Sequence, residues 1–208
     1  MTFKHVVRGI AVGTLTLVLG ASLALADQAK EKNGAPQMDA QTQAMMAEMA
    51  KYAAPGPEHK ILDATVGKWK MVSKAWMGPG EPAVTEGTAE WEWILGGRFL
   101  VYRGHGTMMG QPFEGFEVLG YDRKAKGYVG FWADNMGTGF WPMSGGTYDE
   151  ATKALTFNVE WPNPMGPGTM PYKMVTKILS HDSHVFTMST VRSGKEMTEM
   201  EITYTRAK

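Results

Sequence analysis

The chain has 208 residues, no cysteine, and 21 basic residues balanced by 21 acidic ones. That length supports one domain with a real core, while balanced charge without a basic run excludes the clustered positive face that nucleic acid or anionic lipid requires. Without cysteine there can be no disulfide, no thiol nucleophile and no lipid-modified N-terminal cysteine.

Taken in chain order, residues 1–26 carry Lys4, His5 and Arg8, then an acid-free apolar run from Gly9 to Leu25 that ends Ala24-Leu25-Ala26. A basic start, an apolar stretch and a small-residue cleavage site predict a signal peptide over 1–26 and a periplasmic or secreted protein. The strongly apolar stretch is short for a spanning helix, so no stable membrane insertion is expected after cleavage. Cleavage removes Lys4 and Arg8 and no acidic residue, leaving 19 basic against 21 acidic side chains, a net charge of −2.

Residues 27–56 read as a polar, Ala/Gln/Met-rich arm, flexible or helical. Within it, Asp39 to Tyr52 has helical composition, with Asp39 as N-cap and Met45, Met49 and Tyr52 on one face. Such an arm is expected to dock on the rest of the molecule or on a protein partner. The Ala53-Ala54-Pro55-Gly56-Pro57 stretch breaks the chain, and Pro57 to Thr65 predicts a short second helix directing Ile61, Leu62 and Thr65 at a barrel end.

From Gly67 onward, turn signals recur about every ten residues, and the segments between them read as strands. These are Trp69–Met77, Val84–Ile94, Arg98–Thr107, Phe113–Tyr121, Tyr128–Ala133, Thr138–Tyr148, Leu155–Trp161, Tyr172–Leu179, His184–Val191 and Met197–Arg206. The expected fold is all-β: a single antiparallel up-and-down barrel of about ten strands over residues 57–208, with one or two short N-terminal helices. Alternation places Lys68, Lys70, Lys74, Glu86, Glu90 and Glu92 outside. It turns Trp69, Met71, Ala89, Trp91 and Trp93 inward, with Leu155, Phe157, Val159 and Trp161 as a third apolar row.

Gly67-Lys68-Trp69 on the first strand, with Arg206 near the end of the last, resembles the lipocalin and fatty-acid-binding-protein group. That resemblance implies an arginine covering the tryptophan and closing one barrel end, a sensible pairing for a guanidinium and an indole. The chain is also similar to the DUF1579 family of mostly exported bacterial proteins of uncharacterised function. The matching stretches are Gly56-Pro57-Glu58-His59, Leu95-Gly96-Gly97-Arg98-Phe99, Phe113-Glu114-Gly115 and Leu119-Gly120-Tyr121-Asp122. Met136-Gly137-Thr138-Gly139, Gly146-Thr147-Tyr148-Asp149 and Glu201-Ile202-Thr203-Tyr204-Thr205-Arg206 complete them. The resemblance implies a fold and no substrate.

No catalytic motif stands out: there is no Gly-x-Ser-x-Gly elbow, and the glycines sit at turns rather than before helices. The expected role is therefore non-catalytic binding of a small hydrophobic or amphipathic molecule in a pocket lined by Trp69, Trp91, Trp93 and Trp132. Arg103 and His105 share a face on the third strand. With that row inward they would grip a carboxylate, with Asp134 at the mouth pairing to Arg103; with Leu100 and Tyr102 inward instead, Arg103 is solvated. An enzyme reading requires Arg103, His105 and Asp134 or Glu117 to converge.

Other readings stay open, and the residues name no cofactor. His181 and His184 are candidate haem ligands, the haem-binding nitrobindins being barrels of similar layout. The 17 methionines include His105-Gly106-Thr107-Met108-Met109 and Met165 to Met174 as candidate Cu(I) clusters, against their use as adaptable filling. A filled barrel acting on a protein partner through residues 27–56 is the competing class.

Overall fold

The computed structural model describes residues 38–78, 80–163, 166–192 and 194–208. The signal peptide predicted for residues 1–26, and the arm as far as residue 37, lie outside the described residues. The chain divides into a unit ending at Met46 and a unit from Ala47 to Lys208.

Helix α1 (Ala40–Ala53) starts where its cap permits: the Thr42 N–H donates to Asp39 Oδ1 at 2.7 Å, satisfying one of the free donors of the first turn. The helix buries none of its residues, and Met45, Met46, Met49 and Tyr52 are all exposed. In the second unit, the Arg123 guanidinium donates to the carbonyls of Lys51 and Ala54, the latter at 3.3 Å.

Helix α2 (Pro57–Ile61) and a 3-10 turn (Leu62–Thr65) follow. The Gly56 N–H donates to His59 Nδ1 at 3.0 Å, and the Tyr128 hydroxyl donates to the Glu58 carbonyl at 2.9 Å. His59 is buried edge-on against Tyr121, and burial holds its pKa below the usual histidine range. These bonds explain why Gly-Pro-Glu-His stands at the point where the helical segment meets the barrel.

Ten strands then form a closed antiparallel barrel. They are β1 (Gly67–Ala75), β2 (Ala83–Ile94), β3 (Phe99–Met108), β4 (Gln111–Asp122) and β5 (Gly127–Asp134), then β6 (Trp141–Asp149), β7 (Ala154–Pro162), β8 (Thr169–Ser180), β9 (Ser183–Arg192) and β10 (Lys195–Arg206). Each strand pairs with its neighbour in sequence, and β1 pairs with β10 from Trp69↔Arg206 to Ala75↔Met200, so the sheet closes on itself. The sheet bulges at three ladders, including β5–β6 between Tyr128 and Gly130. Extra local twist of this kind helps a sheet close.

One end of the barrel is plugged. Trp69, 1% exposed, donates its indole N–H to the Thr65 carbonyl at 2.8 Å. The Arg206 guanidinium lies 4.2 Å over that indole. It also donates to the carbonyls of Val66 at 2.7 Å, Ala64 at 3.2 Å and His181 at 3.0 Å. Gly67 has φ +116°, and a Cβ there would stand 2.8 Å from an Arg206 nitrogen. Conformation and space both require glycine at this point, which accounts for the first residue of Gly67-Lys68-Trp69. The Trp69–Arg206 closure is thus a hydrogen-bonded latch between the first strand, the last strand and the 3-10 turn.

Candidate functional site

Behind the plug the barrel encloses a cavity of about 350 Å³. Ile61, Leu62 and Thr65 form its floor, and Thr85, Met108, Phe113, Asp134 and Pro162 lie toward the opposite end. Aromatic side chains supply a third of the lining residues. Trp91 meets Tyr102 at 4.6 Å and Tyr204 at 5.0 Å between ring centroids, and Trp161 lies between Trp141 and Tyr172 at 5.4 Å from each. Met71, Met143, Met174, Met188 and Met200 fill the spaces between rings. Thioether side chains adapt to irregular shapes at little cost, so this wall suits an apolar guest.

The predicted site residues separate into three groups. Trp91, Trp132 and Asp134 face the cavity. The Trp132 indole N–H donates to Asp134 Oδ2 at 2.7 Å, and the Met136 N–H donates to Oδ1 at 3.0 Å, so this carboxylate is held by its own turn. Trp69 and Trp93 belong to the closed end instead. Trp69 is beneath the latch, and the half-buried Trp93 donates to Asp63 Oδ1 at 2.7 Å.

Arg103 and His105 require a correction, because both are exposed on the outside of the barrel. Arg103 donates to Glu92 Oε1 at 2.6 Å and lies 5.6 Å over the Phe116 ring; it does not pair with Asp134. The physical reason is the opposite row. Tyr102 is 3% exposed, and a Cβ on Gly104 would come within 2.1 Å of the Tyr102 hydroxyl. The inward row of β3 therefore runs through Leu100, Tyr102, Gly104 and Gly106, with glycine leaving room for the phenol.

Inside, a buried tyrosine pair, the buried His184 and the half-buried Glu117 stand out. The Tyr102 and Tyr204 hydroxyls are hydrogen-bonded to each other, and burial pushes the Tyr102 hydroxyl up to about 12 and that of Tyr204 well above its usual range. His184 is 1% exposed, stacked 4.4 Å from the Tyr204 ring and edge-on to Trp69 and Trp91. Neither ring nitrogen has a hydrogen-bond partner, and burial, reinforced by Arg206, lowers its pKa to about 3. Each nitrogen keeps less than 1 Å² of accessible surface. An axial bond to haem iron would therefore require the surrounding rings to move.

Glu117 is the third group. It lies in the middle of β4, opposite Tyr102 on β3 and Trp132 on β5, with its side chain on the cavity wall. Burial alone raises its pKa to about 7. Half-buried on the cavity wall, it is a carboxyl that the interior presents to a guest. Its signal in the sequence was parity, since Glu117 shares a row with Phe113, Leu119 and Tyr121.

The remaining candidates disperse. His181 is exposed beside Asp182, at 2.7 Å. Of the first methionine cluster, His105 is on the outer surface, Met108 faces the cavity and Met109 is 74% exposed in a turn. Of the second, Met165 lies outside the described residues and Met174 faces the cavity. Among the described residues no group of three or more His, Asp or Glu is placed to hold a metal ion.

No curated protein matches the chain. Among solved structures, Rv2717c from M. tuberculosis is similar at 14% identity and TM-score 0.56, covering 74% of this chain and 100% of that one. The S-type phycobiliprotein lyase CPES from Guillardia theta is similar at 9% identity and TM-score 0.52, covering 76% of this chain and 97% of its own. Both likenesses are of fold. Over residues 54–206 the chain matches the family described as "Protein of unknown function (DUF1579)", and it belongs to that family.

Proposed function

We propose that this protein is a non-catalytic carrier, exported from the cytoplasm, that holds one small amphipathic molecule inside its barrel. The observation behind this reading is the cavity of about 350 Å³, walled by aromatic rings and thioethers and blocked at one end by the Trp69–Arg206 latch. A hydrophobic interior left open at this size exposes apolar surface that a guest would cover, at about 25 cal/mol for each Å² removed from water. A barrel packed solid for structural work would have no such space. The neighbour named as a phycobiliprotein lyase shares this fold.

The test is native mass spectrometry of the mature protein taken from a periplasmic extract, followed by denaturation of the same sample. A reproducible extra mass that is released on denaturation is the expected result. A clean protein mass, together with no change in tryptophan emission on titration with octanol, would overturn the carrier reading. The second reading, action on a protein partner, draws on helix α1, which buries nothing and carries exposed Met45, Met46 and Met49. Deleting residues 27–56 would separate the two, because the carrier keeps its cavity and the partner module loses its contact.

A further inference from the structure

The wall of the cavity is chemically one-sided. Among its described lining residues there is no lysine or arginine, and the one histidine, His184, keeps both nitrogens closed off. Two carboxyl groups do line it. Asp134 is already engaged by the Trp132 indole and the Met136 N–H. Glu117 is not: no side chain or backbone donor of the described protein reaches it, although both neighbouring strands present large side chains to it, Tyr102 and Trp132. The Tyr102 hydroxyl is turned to Tyr204 and Met71 Sδ, the latter at 3.7 Å. An acceptor pair has been placed in an apolar chamber with its partners missing.

Building on the carrier reading, we propose that Glu117 selects the guest, and that the cavity takes small amphiphiles whose polar end is a basic, hydrogen-bond-donating nitrogen. An ammonium brought to Glu117 supplies the donors the carboxylate lacks and neutralises it, which in a low-dielectric chamber is worth more than in water. A carboxylate guest meets the opposite situation. It would add a second negative charge beside Glu117 with no cation inside to offset either. Above pH 7 this disfavours a carboxylate guest, and Arg103, on the outer face, supplies no grip for one. Selection works by the unpaired charge as well as by the attractive contact.

The affinity for an amine should also depend on pH through Glu117 alone. The groups facing it are Tyr102 and Tyr204, both uncharged through the physiological range, with His184, held neutral, and Asp134, held by Trp132, elsewhere on the wall. Burial leaves Glu117 protonated below about pH 7, and a protonated carboxyl attracts an ammonium far less. Amine binding should then weaken on acidification while alcohol binding stays level.

The experiment is calorimetric titration of the mature protein with octylamine, octanol and octanoate at pH 8 and pH 5, in wild type and in Glu117→Gln. Trp91 and Trp132 in the wall provide a second, fluorescent readout. Octylamine is expected to bind wild type at least tenfold more tightly than octanol at pH 8, to lose that advantage at pH 5, and to lose it in Glu117→Gln. Octanoate is expected to bind most weakly. Equal affinity for octylamine and octanol, or an amine preference that survives Glu117→Gln, would overturn the proposal while leaving the carrier intact. If octanol fails to bind as well, the carrier reading falls and this inference falls with it.

Discussion

Replacing Glu117 by glutamine should make the protein more stable, and more so as pH rises. The carboxyl has an ordinary pKa of 4.5 in the unfolded chain and one near 7 in the barrel, where burial disfavours its charged form. Between those values the folded state binds the extra proton, so its advantage is fully present below pH 4.5 and is lost as pH climbs through 7. The shift corresponds to at most about 3.5 kcal/mol by pH 8, at about 1.4 kcal/mol for each pKa unit. Glutamine keeps the shape and cannot ionise. The variant should match wild type near pH 4.5 and exceed it by about 2–3 kcal/mol at pH 8, or roughly 5–10 °C in Tm for a domain of this size. Urea unfolding of both proteins at pH 5 and 8 reads the gap directly. His184 acts in the opposite direction, because its folded pKa near 3 costs stability as pH falls below 6.5. It does so equally in both proteins and cancels in the comparison. A gap that is the same at both pH values would refute the reasoning, since it would mean that Glu117 ionises as freely in the barrel as in water.

Arg206→Ala should cost about 2–4 kcal/mol in urea unfolding, because it strips the donor from three carbonyls and uncovers Trp69. Arg206→Lys should recover only a minor part of the loss, as an ammonium cannot reproduce the planar fork. Arg103→Ala, by contrast, should change stability by less than about 1 kcal/mol and leave octanol binding unaltered, its partner Glu92 being half exposed on the outer face. Gly115→Ala would place a methyl 2.4 Å from the Trp132 ring. It should cost about 1–3 kcal/mol, shift tryptophan emission and weaken octanol binding as the ring is pushed off the sheet.

Where one face of a strand was charged and the other apolar, the sequence was legible at the level of single side chains. Lys68 and Lys70 against Trp69 and Met71 left no choice of parity, and the structure has both lysines exposed and both apolar residues buried. Strand β3 offered no such contrast. Its Phe99-Leu100-Val101-Tyr102 start is apolar on both faces, and Val101 is 2% exposed although it is on the outer row with Arg103. The outside of the barrel is itself apolar here, since Val101 pairs across to Val118, which pairs to Phe131. Phe116 in turn stands 6.0 Å from Phe131. Only the glycines at 104 and 106 betrayed the inward row, by the space a phenol needed. Glu117 was obscured in the same way, lying between apolar Phe116 and Val118 on a strand whose two rows looked equally greasy.

The pairing of β1 with β10 has a consequence for how the chain must be made. Trp69 and Arg206 meet across nearly the whole length of the domain, and contacts so distant in sequence form late and slowly. Until the last strand leaves the ribosome, the other nine can form only an open, curling sheet. Its first and ninth strands then offer bare edges, and its greasy inner face is exposed to any neighbour. A nascent chain in that condition is a target for chaperones rather than a weakened version of the finished protein. Losing the final strand would therefore not yield a leaky barrel; it would leave a sticky half-product, with the hollow interior created only in the final step of closure.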